Sequence, residues 1–322
     1  YNVHVKIEIP PPHLMNYSKI ASFIISIIFV GIFIFLIYRL KIDFYAIGEI
    51  SFLQFFLLFT LSLLTIATNG SKLRNIVSVF GIRLNAREWF GLSSLNTTLN
   101  NVFFKAGSLA TSNYLKRKYD FPYMSFVGSQ GADQLILLLS NAIMGAIVCE
   151  YIVSIQGNDL QWMVACYIAL AVALILLMQW EFRGGSTESR LADALRRARD
   201  SLVGIFKNRR LFFILCGHNA TLILLNSFRF YVCCWVLQLD VPFTHCLLFN
   251  TAMTFLSAVP LLQSDIGGRE ILVGLLSEAI GSGFNTGLTA TAVDRIFLLL
   301  WAFLCAVGCK MIFAPFHQSH KI

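Results

Sequence analysis

Long runs without a charged residue constrain this chain more than any other feature of its sequence. Four runs contain no Asp, Glu, Lys or Arg: Ile20–Tyr38, Ile50–Ser71, Leu160–Trp180 and Leu211–Phe228. Each is close to the roughly 17–25 residues that a helix needs to cross a hydrocarbon core. In lipid a helix satisfies its own backbone hydrogen bonds, whereas in water such surfaces would aggregate. We therefore predict an all-α, polytopic integral membrane protein.

The basic net charge of this chain does not indicate a nucleic-acid-binding protein. The formal charge is +8, but Lys and Arg gather in the gaps between apolar runs. Juxtamembrane residues have this distribution, since they lie beside anionic lipid headgroups. We therefore expect membrane lipids as partners and no nucleic acid. The eight cysteines form no CxxC pair and lie mostly in apolar runs, where Cys packs as a small hydrophobe, so no metal or cofactor is expected.

The placement of the bases predicts the orientation of the chain. The gaps rich in Lys and Arg are 69–88, 113–121 and 181–210, whereas the gaps 155–159 and 238–242 carry one acid each and no base. The positive-inside rule places the basic gaps and the C-terminus in the cytoplasm, in a cytoplasmic (inner) membrane. The gap at Arg39 and Lys41 would then lie outside, and it is the one discordant loop.

This orientation gives about six full crossings and five segments. The crossings are 18–38, 50–70, 126–153, 160–180, 211–237 and 287–309. The segments are an N-terminal extramembrane part (1–17), a first membrane half (18–180), a cytoplasmic amphipathic linker (181–210), a second membrane half (211–310) and a cytoplasmic tail (311–322).

Two further stretches are too apolar for loops and too interrupted for spanning helices. The stretch 88–112 begins and ends on the cytoplasmic side, and 243–285 begins and ends outside. Their polar and helix-breaking residues are Asn96, Asn100, Asn101, Lys105 and Gly107 in the first, and Pro260, Gln263, Asp265, Gly267, Gly268, Arg269 and Glu270 in the second. Irregular backbone at membrane depth is tolerated only inside protein or beside a wet cavity. We therefore predict two re-entrant helical hairpins, one from each side.

The linker between the two halves carries a helical pattern. Apolar side chains recur at helical spacing at Leu191, Leu195, Ala198, Leu202 and Phe206, with arginines on the other faces. This pattern is typical of an amphipathic helix on the cytoplasmic leaflet. The alternative is a plain solvated linker.

Two passages of the chain match at an offset of 161 residues. Ala106-Gly107 and Asp133-Gln134 in the first passage correspond to Gly267-Gly268 and Asp294-Arg295 in the second. Three predicted crossings separate the copies, and an odd number inverts the second copy. Inverted repeats with broken helices are a recurring plan of secondary transporters, whose substrate site lies where the copies meet. The sequence therefore suggests an inverted repeat.

Three passages of the sequence resemble a known family. Residues 100–122 read NNVFFKAGSLATSNYLKRKYDFP, residues 228–231 read FRFY, and residues 260–270 read PLLQSDIGGRE. This pattern resembles the transmembrane region of the lysylphosphatidylglycerol synthase family, over roughly residues 18–310. That family includes the flippase half of the multiple peptide resistance factor and stand-alone relatives. The resemblance implies a helical membrane fold that transports lipid.

The chain also departs from the family pattern. Phe104-Lys105-Ala106 stands where a Pro is usual, and Leu261–Asp265 stands where Gly is usual. The extra Lys105 and Asp265 suggest a substrate or coupling that differs from the best-known members. No aminoacyl-transferase domain follows Ile322, so lipid aminoacylation by this chain is not expected.

Charged side chains at bilayer depth are functional candidates, because each costs about 2.5–3.5 kcal/mol to insert. We expect Lys105, Arg229 and Arg269 to bind a lipid phosphate, since guanidinium groups and helix starts bind phosphate well. Asp265 and Glu270 would order these bases or bind a positive headgroup moiety. Asn100 and Asn101 are expected along the same headgroup path.

Each of these residues also has a structural interpretation. Arg269 could pair with Asp265, Arg229 could pair with Glu270, and Lys105 could snorkel to the interface. A further set is assigned to structure or coupling: Asp133, Asp294, Arg295, Gly107, Gly267, Gly268 and Pro260. The two acids in this set are expected to pair with Lys105, Arg295 or hairpin backbone N–H groups, with a proton relay as the alternative.

The leading functional hypothesis is translocation of an anionic or zwitterionic amphipathic lipid between leaflets, through a groove lined by the hairpins. The alternative is a membrane glycosyltransferase, or its accessory, that acts on a polyprenyl-phosphate lipid. Metal-dependent transferases normally use clustered acids, and the sequence has no DxD motif, so an enzyme is not expected. A transporter of a small soluble anion is the third hypothesis. The protein partners considered are a second copy and an enzyme that makes the lipid.

Overall fold

The described part of the chain is entirely helical. The computed structural model describes residues 50–102, 105–156, 161–179, 190–258 and 268–309, which contain ten α-helices and no strand. The helices are α1 (Phe52–Ser78), α2 (Ala86–Val102), α3 (Ala106–Tyr119), α4 (Tyr123–Gln156), α5 (Gln161–Gln179), α6 (Arg190–Lys207), α7 (Arg209–Val236), α8 (Phe243–Ala258), α9 (Gly268–Ala279) and α10 (Phe284–Gly308). The predicted crossing 18–38 lies outside the described residues, as do Pro260, Asp265 and Gly267.

The predicted polytopic membrane fold is confirmed. Five of the described helices, α1, α4, α5, α7 and α10, are long and apolar enough to cross a bilayer. On α5, large apolar side chains including Trp162, Ile168, Val172 and Leu176 are exposed. An exposed apolar surface of this kind is stable against lipid and unstable against water.

Helix α1 is longer than the sequence pattern predicts. The expected crossing ended at residue 70, but α1 continues to Ser78 and includes Lys72. The sequence pattern places Lys72 in a cytoplasmic gap, but it is buried, with 7% of its surface exposed. A buried Lys is stable only when paired, and Lys72 forms an ion pair with Asp133 on α4. The charge therefore lies inside the helix bundle and does not mark the end of the helix.

Helices α2 and α3 form one hairpin, and α8 and α9 form another. At the open end of the first hairpin, Leu92 on α2 and Leu115 on α3 belong to one apolar cluster. At the open end of the second, Phe243 on α8 and Ile280 just after α9 belong to another. Each helix pair therefore returns to the end at which it starts, as the predicted hairpins require.

The helices α1–α4 and α7–α10 are two copies of one arrangement. The offset of 161 residues in the sequence places Tyr123, the first residue of α4, onto Phe284, the first residue of α10. Packing repeats as well, because α1 contacts α2 as α7 contacts α8, and α3 contacts α4 as α9 contacts α10. Helix α2 contacts α10 in the same way that α8 contacts α4.

The two copies meet along α1 and α7, which pack against each other. The Oγ1 atom of Thr65 on α1 lies 3.5 Å from the Oδ1 atom of Asn226 on α7. These two residues are equivalent under the offset of 161. The contact between α1 and α7 therefore lies at the centre of the repeat interface.

The predicted amphipathic helix is α6, and it packs against the protein body. Its Ile205 is fully buried in a cluster with Ile136 of α4 and Leu215 of α7, whereas Arg197 and Asp200 are exposed. Gly128 allows the close approach of α4 and α6, because a Cβ at this position would lie 1.9 Å from the Ala198 carbonyl oxygen. The segment is thus a docked helix with a charged outer face.

Gly128→Ala should lower the thermal midpoint of the detergent-solubilised protein. The added methyl overlaps the backbone of α6, and overpacking of this kind costs about 1–3 kcal/mol. Gly131→Ala, one turn further along α4, is the matched control. A Cβ there meets only Leu202 Cδ1 at 3.8 Å, and removing a helical glycine stabilises by up to about 1 kcal/mol. Equal midpoints for the two variants would contradict the close packing of α6 on α4.

Candidate functional site

A polar cavity lies where the two repeats meet. Its volume is about 300 Å³, and α1, α2 and α4 of the first repeat face α7, α8, α9 and α10 of the second across it. The polar lining residues are Thr65, Asn69, Lys72, Asn96, Thr97, Asn100, Asn101, Gln134, Asn141, Asn226, Arg229, Asn250, Thr254, Arg269, Thr291, Asp294 and Arg295. We call this space the interface cavity. Its position between the repeats is where inverted-repeat transporters bind their substrates.

A second cavity of about 450 Å³ adjoins the interface cavity on the side of the first hairpin. The two cavities share six lining residues: Asn69, Lys72, Asn96, Asn100, Gln134 and Leu137. The second cavity extends past Ser108 and Gln130 to Lys105, at the break between α2 and α3. We call it the hairpin cavity. Together the two cavities form a polar path from the hairpin break to the repeat interface.

A buried ion pair fastens α1 to α4 in the first repeat. Lys72 Nζ lies 2.9 Å from Asp133 Oδ2, and it also donates to Asn219 Oδ1 at 3.2 Å. The sequence predicts Lys105, Arg295 or hairpin backbone N–H groups as partners of Asp133, whereas its ion-pair partner is Lys72. Asp133 therefore neutralises a base on the cavity wall.

A second buried ion pair fastens α7 to α10 in the second repeat. Arg229 donates to both carboxylate oxygens of Asp294, from Nε at 2.6 Å and from Nη2 at 3.0 Å. Its Nη1 donates to Asn226 at 3.2 Å and to Thr65 at 3.4 Å. Only 3% of Arg229 is exposed. Its guanidinium is thus occupied by Asp294. The sequence suggested Glu270 as the partner of Arg229 and Arg295 as a partner of Asp294, whereas Arg229 and Asp294 pair with each other.

The two ion pairs are equivalent in the repeat. Asp133 and Asp294 match at the offset of 161, and Arg229 matches Thr68, one helical turn before Lys72. Each repeat therefore joins its first helix to its fourth by the same aspartate. The base has moved by one turn and changed from Lys to Arg.

A third ion pair occurs in the second repeat. Arg295 Nη1 lies 2.8 Å from Glu270 Oε1, at an angle outside hydrogen-bond geometry. Glu270 is 2% exposed, so its carboxylate is a buried partner for Arg295. The equivalent positions of the first repeat are Gln134 and Leu109. The second repeat thus carries charge where the first does not.

Arg269 differs from the other bases on the wall of the interface cavity. It is the second residue of α9, after Gly268, which begins that helix as predicted. Its Nε is buried without a hydrogen-bond partner. Within the described residues no carboxylate lies within ion-pair distance of Arg269. Arg269 can therefore receive an anion from the interface cavity.

The first hairpin is held together across its break by Asn100. The Asn100 Oδ1 atom accepts hydrogen bonds from the backbone N–H groups of Gly107, at 2.8 Å, and Ser108, at 3.3 Å. Gly107 is required because a Cβ there would lie 2.3 Å from the Asn96 carbonyl oxygen. Lys105, in the break, adopts a left-handed backbone with φ of 51° and is exposed. Asn100 therefore caps α3 and occupies N–H groups that could otherwise bind an anion.

The comparison with known families decides where this chain belongs. It matches the family described as Lysylphosphatidylglycerol synthase TM region over residues 20–308. The chain belongs to this family. No curated protein and no solved structure matches it at a significant level. The resemblance drawn from the sequence motifs is confirmed, and it gives the protein a lipid-related membrane function.

The family motifs that the sequence carries lie at the hairpins and on the interface cavity. Asn100 and Gly107 hold the first hairpin together. Arg229 and Arg269 line the interface cavity, and Glu270 pairs with Arg295 beside it. Asn101 also lines the cavity, and its Nδ2 donates to the Thr97 carbonyl at 2.8 Å.

Sequence reasoning missed most of the amides that line the interface cavity. Those not singled out are Asn69, Asn141, Asn226, Asn250 and Gln134. A usable signal was present, because polar residues recur on one helix face at Thr65, Asn69 and Lys72 of α1. Residues three and four apart in a helix point in the same direction. A polar stripe within an apolar run therefore marks the wall of a wet cavity.

A cluster at the open end of the first hairpin ties α2 to α3. The carboxylate of Glu88 accepts from Tyr114 at 2.7 Å, from Tyr119 at 3.0 Å and from Lys118. Burial alone would raise the pKa of Glu88, but hydrogen bonds from Lys118, the Asn85 N–H and the tyrosines outweigh it and lower the pKa below 4.5. Burial and the bond to Glu88 raise the pKa of Tyr119 to about 12.

Asp294→Asn should destabilise the protein strongly. The substitution leaves the Arg229 guanidinium buried without its counter-charge, and breaking a buried pair in this way costs about 3–5 kcal/mol. The thermal midpoint in detergent measures the loss. Asp120→Asn is the matched control, because Asp120 pairs with Lys116 at the surface and such pairs contribute less than about 1 kcal/mol. A small shift for Asp294→Asn would contradict the importance of this ion pair.

Stability should fall as the pH decreases through the folded-state pKa of Glu88. Since that pKa is lowered from 4.5, the unfolded chain binds the proton more tightly. The stabilisation is therefore complete above about pH 4.5 and is lost progressively as the pH falls from there through the lowered pKa. Glu88→Gln should cost roughly 1–3 kcal/mol at neutral pH and flatten the acid limb of the thermal midpoint against pH. Glu150→Gln, at an exposed position, should leave the profile unchanged. An unaltered acid limb in Glu88→Gln would rule out this cluster as its source.

Proposed function

We propose that this protein moves a phosphate-bearing lipid between the two leaflets of the cytoplasmic membrane. The headgroup passes through the hairpin cavity and the interface cavity while the acyl chains stay in the bilayer. The observation that carries the proposal is Arg269, whose Nε is buried without a partner on the wall of the interface cavity. Family membership supports a lipid as the substrate.

The exposed bases support a cytoplasmic orientation for one end of the bundle. Arg74 near the end of α1, Arg117 near the end of α3, and Arg209 and Arg210 at the start of α7 are all exposed. The chain enters or leaves the same end of the bundle at each of these points. The positive-inside rule places this end in the cytoplasm. The end of α10 then lies on the same side, because Arg87 of α2 donates to the Cys309 carbonyl there.

Arg269 receives the phosphate, since a guanidinium binds phosphate oxygens through two parallel N–H groups. Lys105 lies at the other end of the path, in the break of the first hairpin, and supplies a point charge there. Lys72, Arg229 and Arg295 are each neutralised by an acid. Because only some of the bases along the path carry an uncompensated charge, an anion is attracted to the path but is not held at each base. This suits translocation, which requires binding that is weak enough to be reversed.

The repeat gives the conformational change that translocation needs. Two inverted copies can open to opposite sides at similar cost. The ion pairs Lys72–Asp133 and Arg229–Asp294 hold the first and fourth helices of each copy together, so each copy moves as a unit. Movement then takes place at the contact between α1 and α7.

Arg269→Gln should reduce translocation of a fluorescent phospholipid in proteoliposomes at least tenfold. The substitution keeps the length and polarity of the side chain but removes the charge that receives the phosphate. Arg210→Gln is the matched control, because Arg210 is exposed at the start of α7; its rate should equal that of the parent.

Two results would count against this proposal. Equal rates for the parent and both variants would remove Arg269 from the path. Absence of lipid movement in the parent, together with transfer of a sugar to or from a polyprenyl phosphate, would identify an enzyme in place of a translocase.

A further inference from the structure

The interface cavity has a simple charge balance. Three acids and three bases are paired there or beside it: Asp133 with Lys72, Asp294 with Arg229 and Glu270 with Arg295. Over the described lining, Arg269 is left as a single positive charge. One negative charge on a ligand neutralises it, and a phosphodiester carries one negative charge. An ammonium group in the same cavity meets no unpaired carboxylate among the described lining residues.

The remaining lining is made of neutral hydrogen-bonding groups. Eight of the lining side chains are amides: Asn69, Asn96, Asn100, Asn101, Gln134, Asn141, Asn226 and Asn250. An amide offers two N–H donors and an acceptor oxygen, which match the hydroxyl groups of a polyol or sugar. Cation-binding sites rely instead on carboxylates or on aromatic faces.

One of these amides has an unsatisfied acceptor. Asn141 on α4 is fully buried, and its Nδ2 donates to the Leu137 carbonyl at 2.8 Å. Its Oδ1 has no hydrogen-bond partner. The interface cavity therefore has an unsatisfied acceptor on a helix of the first repeat and an unsatisfied donor, Arg269 Nε, on a helix of the second. Buried polar groups without partners are rare and call for a ligand or a water.

We infer that the interface cavity selects singly anionic phosphodiester headgroups that carry hydroxyls, such as glycerol or sugar phosphodiesters, over ammonium-bearing and aminoacylated headgroups. The phosphate accepts from Arg269, and a hydroxyl donates to Asn141 Oδ1. An ammonium group can also donate to Asn141, but it would share a cavity of about 300 Å³ with the unpaired charge of Arg269. This inference rests on the proposed function, and it predicts a substrate without the positive charge of lysylphosphatidylglycerol.

Equilibrium binding of short-chain lipids to the detergent-solubilised full chain tests this selectivity. The ligands are dioctanoyl forms of phosphatidylglycerol, phosphatidylinositol, phosphatidylmethanol, phosphatidylethanolamine and lysylphosphatidylglycerol. Phosphatidylglycerol or phosphatidylinositol should bind at least tenfold more tightly than the two amine-bearing lipids, and the tighter of the two identifies the polyol. Phosphatidylmethanol has the phosphodiester but no headgroup hydroxyl, so its binding reports the Arg269 contact without the Asn141 contact.

Two variants assign the contacts. Arg269→Gln should weaken phosphatidylglycerol and phosphatidylmethanol alike by at least tenfold. Asn141→Ala should weaken phosphatidylglycerol several-fold and leave phosphatidylmethanol unchanged. The controls are Arg210→Gln and Asn285→Ala, both at exposed positions away from the cavity, and neither should alter binding. Thermal midpoints of all four variants show whether each is folded.

The outcomes separate this inference from the proposed function. Equal or tighter binding of lysylphosphatidylglycerol overturns the selectivity, even where proteoliposomes show lipid movement. An equal effect of Asn141→Ala on both phosphodiesters overturns the hydroxyl contact. Selective binding as expected, with no lipid movement in vesicles of the same composition, supports the headgroup site and overturns translocation. Absence of binding for all five lipids overturns the site itself.

Discussion

The structure depends on two buried ion pairs, Lys72–Asp133 and Arg229–Asp294. Each joins the first helix of a repeat to its fourth, at distances of 2.9 Å and 2.6 Å. A charge alone at this depth would be costly, and removing either partner would leave the other uncompensated. Because each charge is neutralised by its partner, these helices can have an apolar face in contact with lipid and a polar face in contact with the other helices. The interface cavity exists because the polar faces of these helices meet at its walls.

The two repeats have diverged in charge more than in architecture. Asp133 and Asp294 occupy equivalent positions, whereas Arg295 and Glu270 correspond to Gln134 and Leu109. The first repeat therefore contributes mostly amides and a hairpin whose helix start is capped by Asn100. The second repeat contributes Arg269 and a dense set of ion pairs around it. A cavity between such unequal halves can treat the two ends of a headgroup differently, since charge and hydrogen bonding are recognised on opposite walls.

The architecture followed from the sequence because it depends on local properties. The predicted crossings 126–153, 160–180, 211–237 and 287–309 match four of the five candidate spans within about three residues at each end, and the offset of 161 residues anticipated the paired helices. The error at α1 has a clear cause. Lys72 resembles a juxtamembrane base in sequence, and only a partner on α4 shows that it is buried. Arg269 could be singled out because it follows a glycine pair in an interrupted apolar stretch.

The pairing of charges could not be predicted, because it depends on which helix faces meet. Sequence proximity favoured contacts within the hairpins, such as Arg269 with Asp265, and Asp265 lies outside the described residues. The three buried pairs at the interface cavity join residues 25 to 65 positions apart on different helices. The consequence for function is direct. A base that is paired across the bundle helps to fix the cavity wall, and a base that is left over can bind a ligand. In the proposed function, headgroup recognition therefore depends on Arg269, the arginine of the cavity wall that no described acid neutralises.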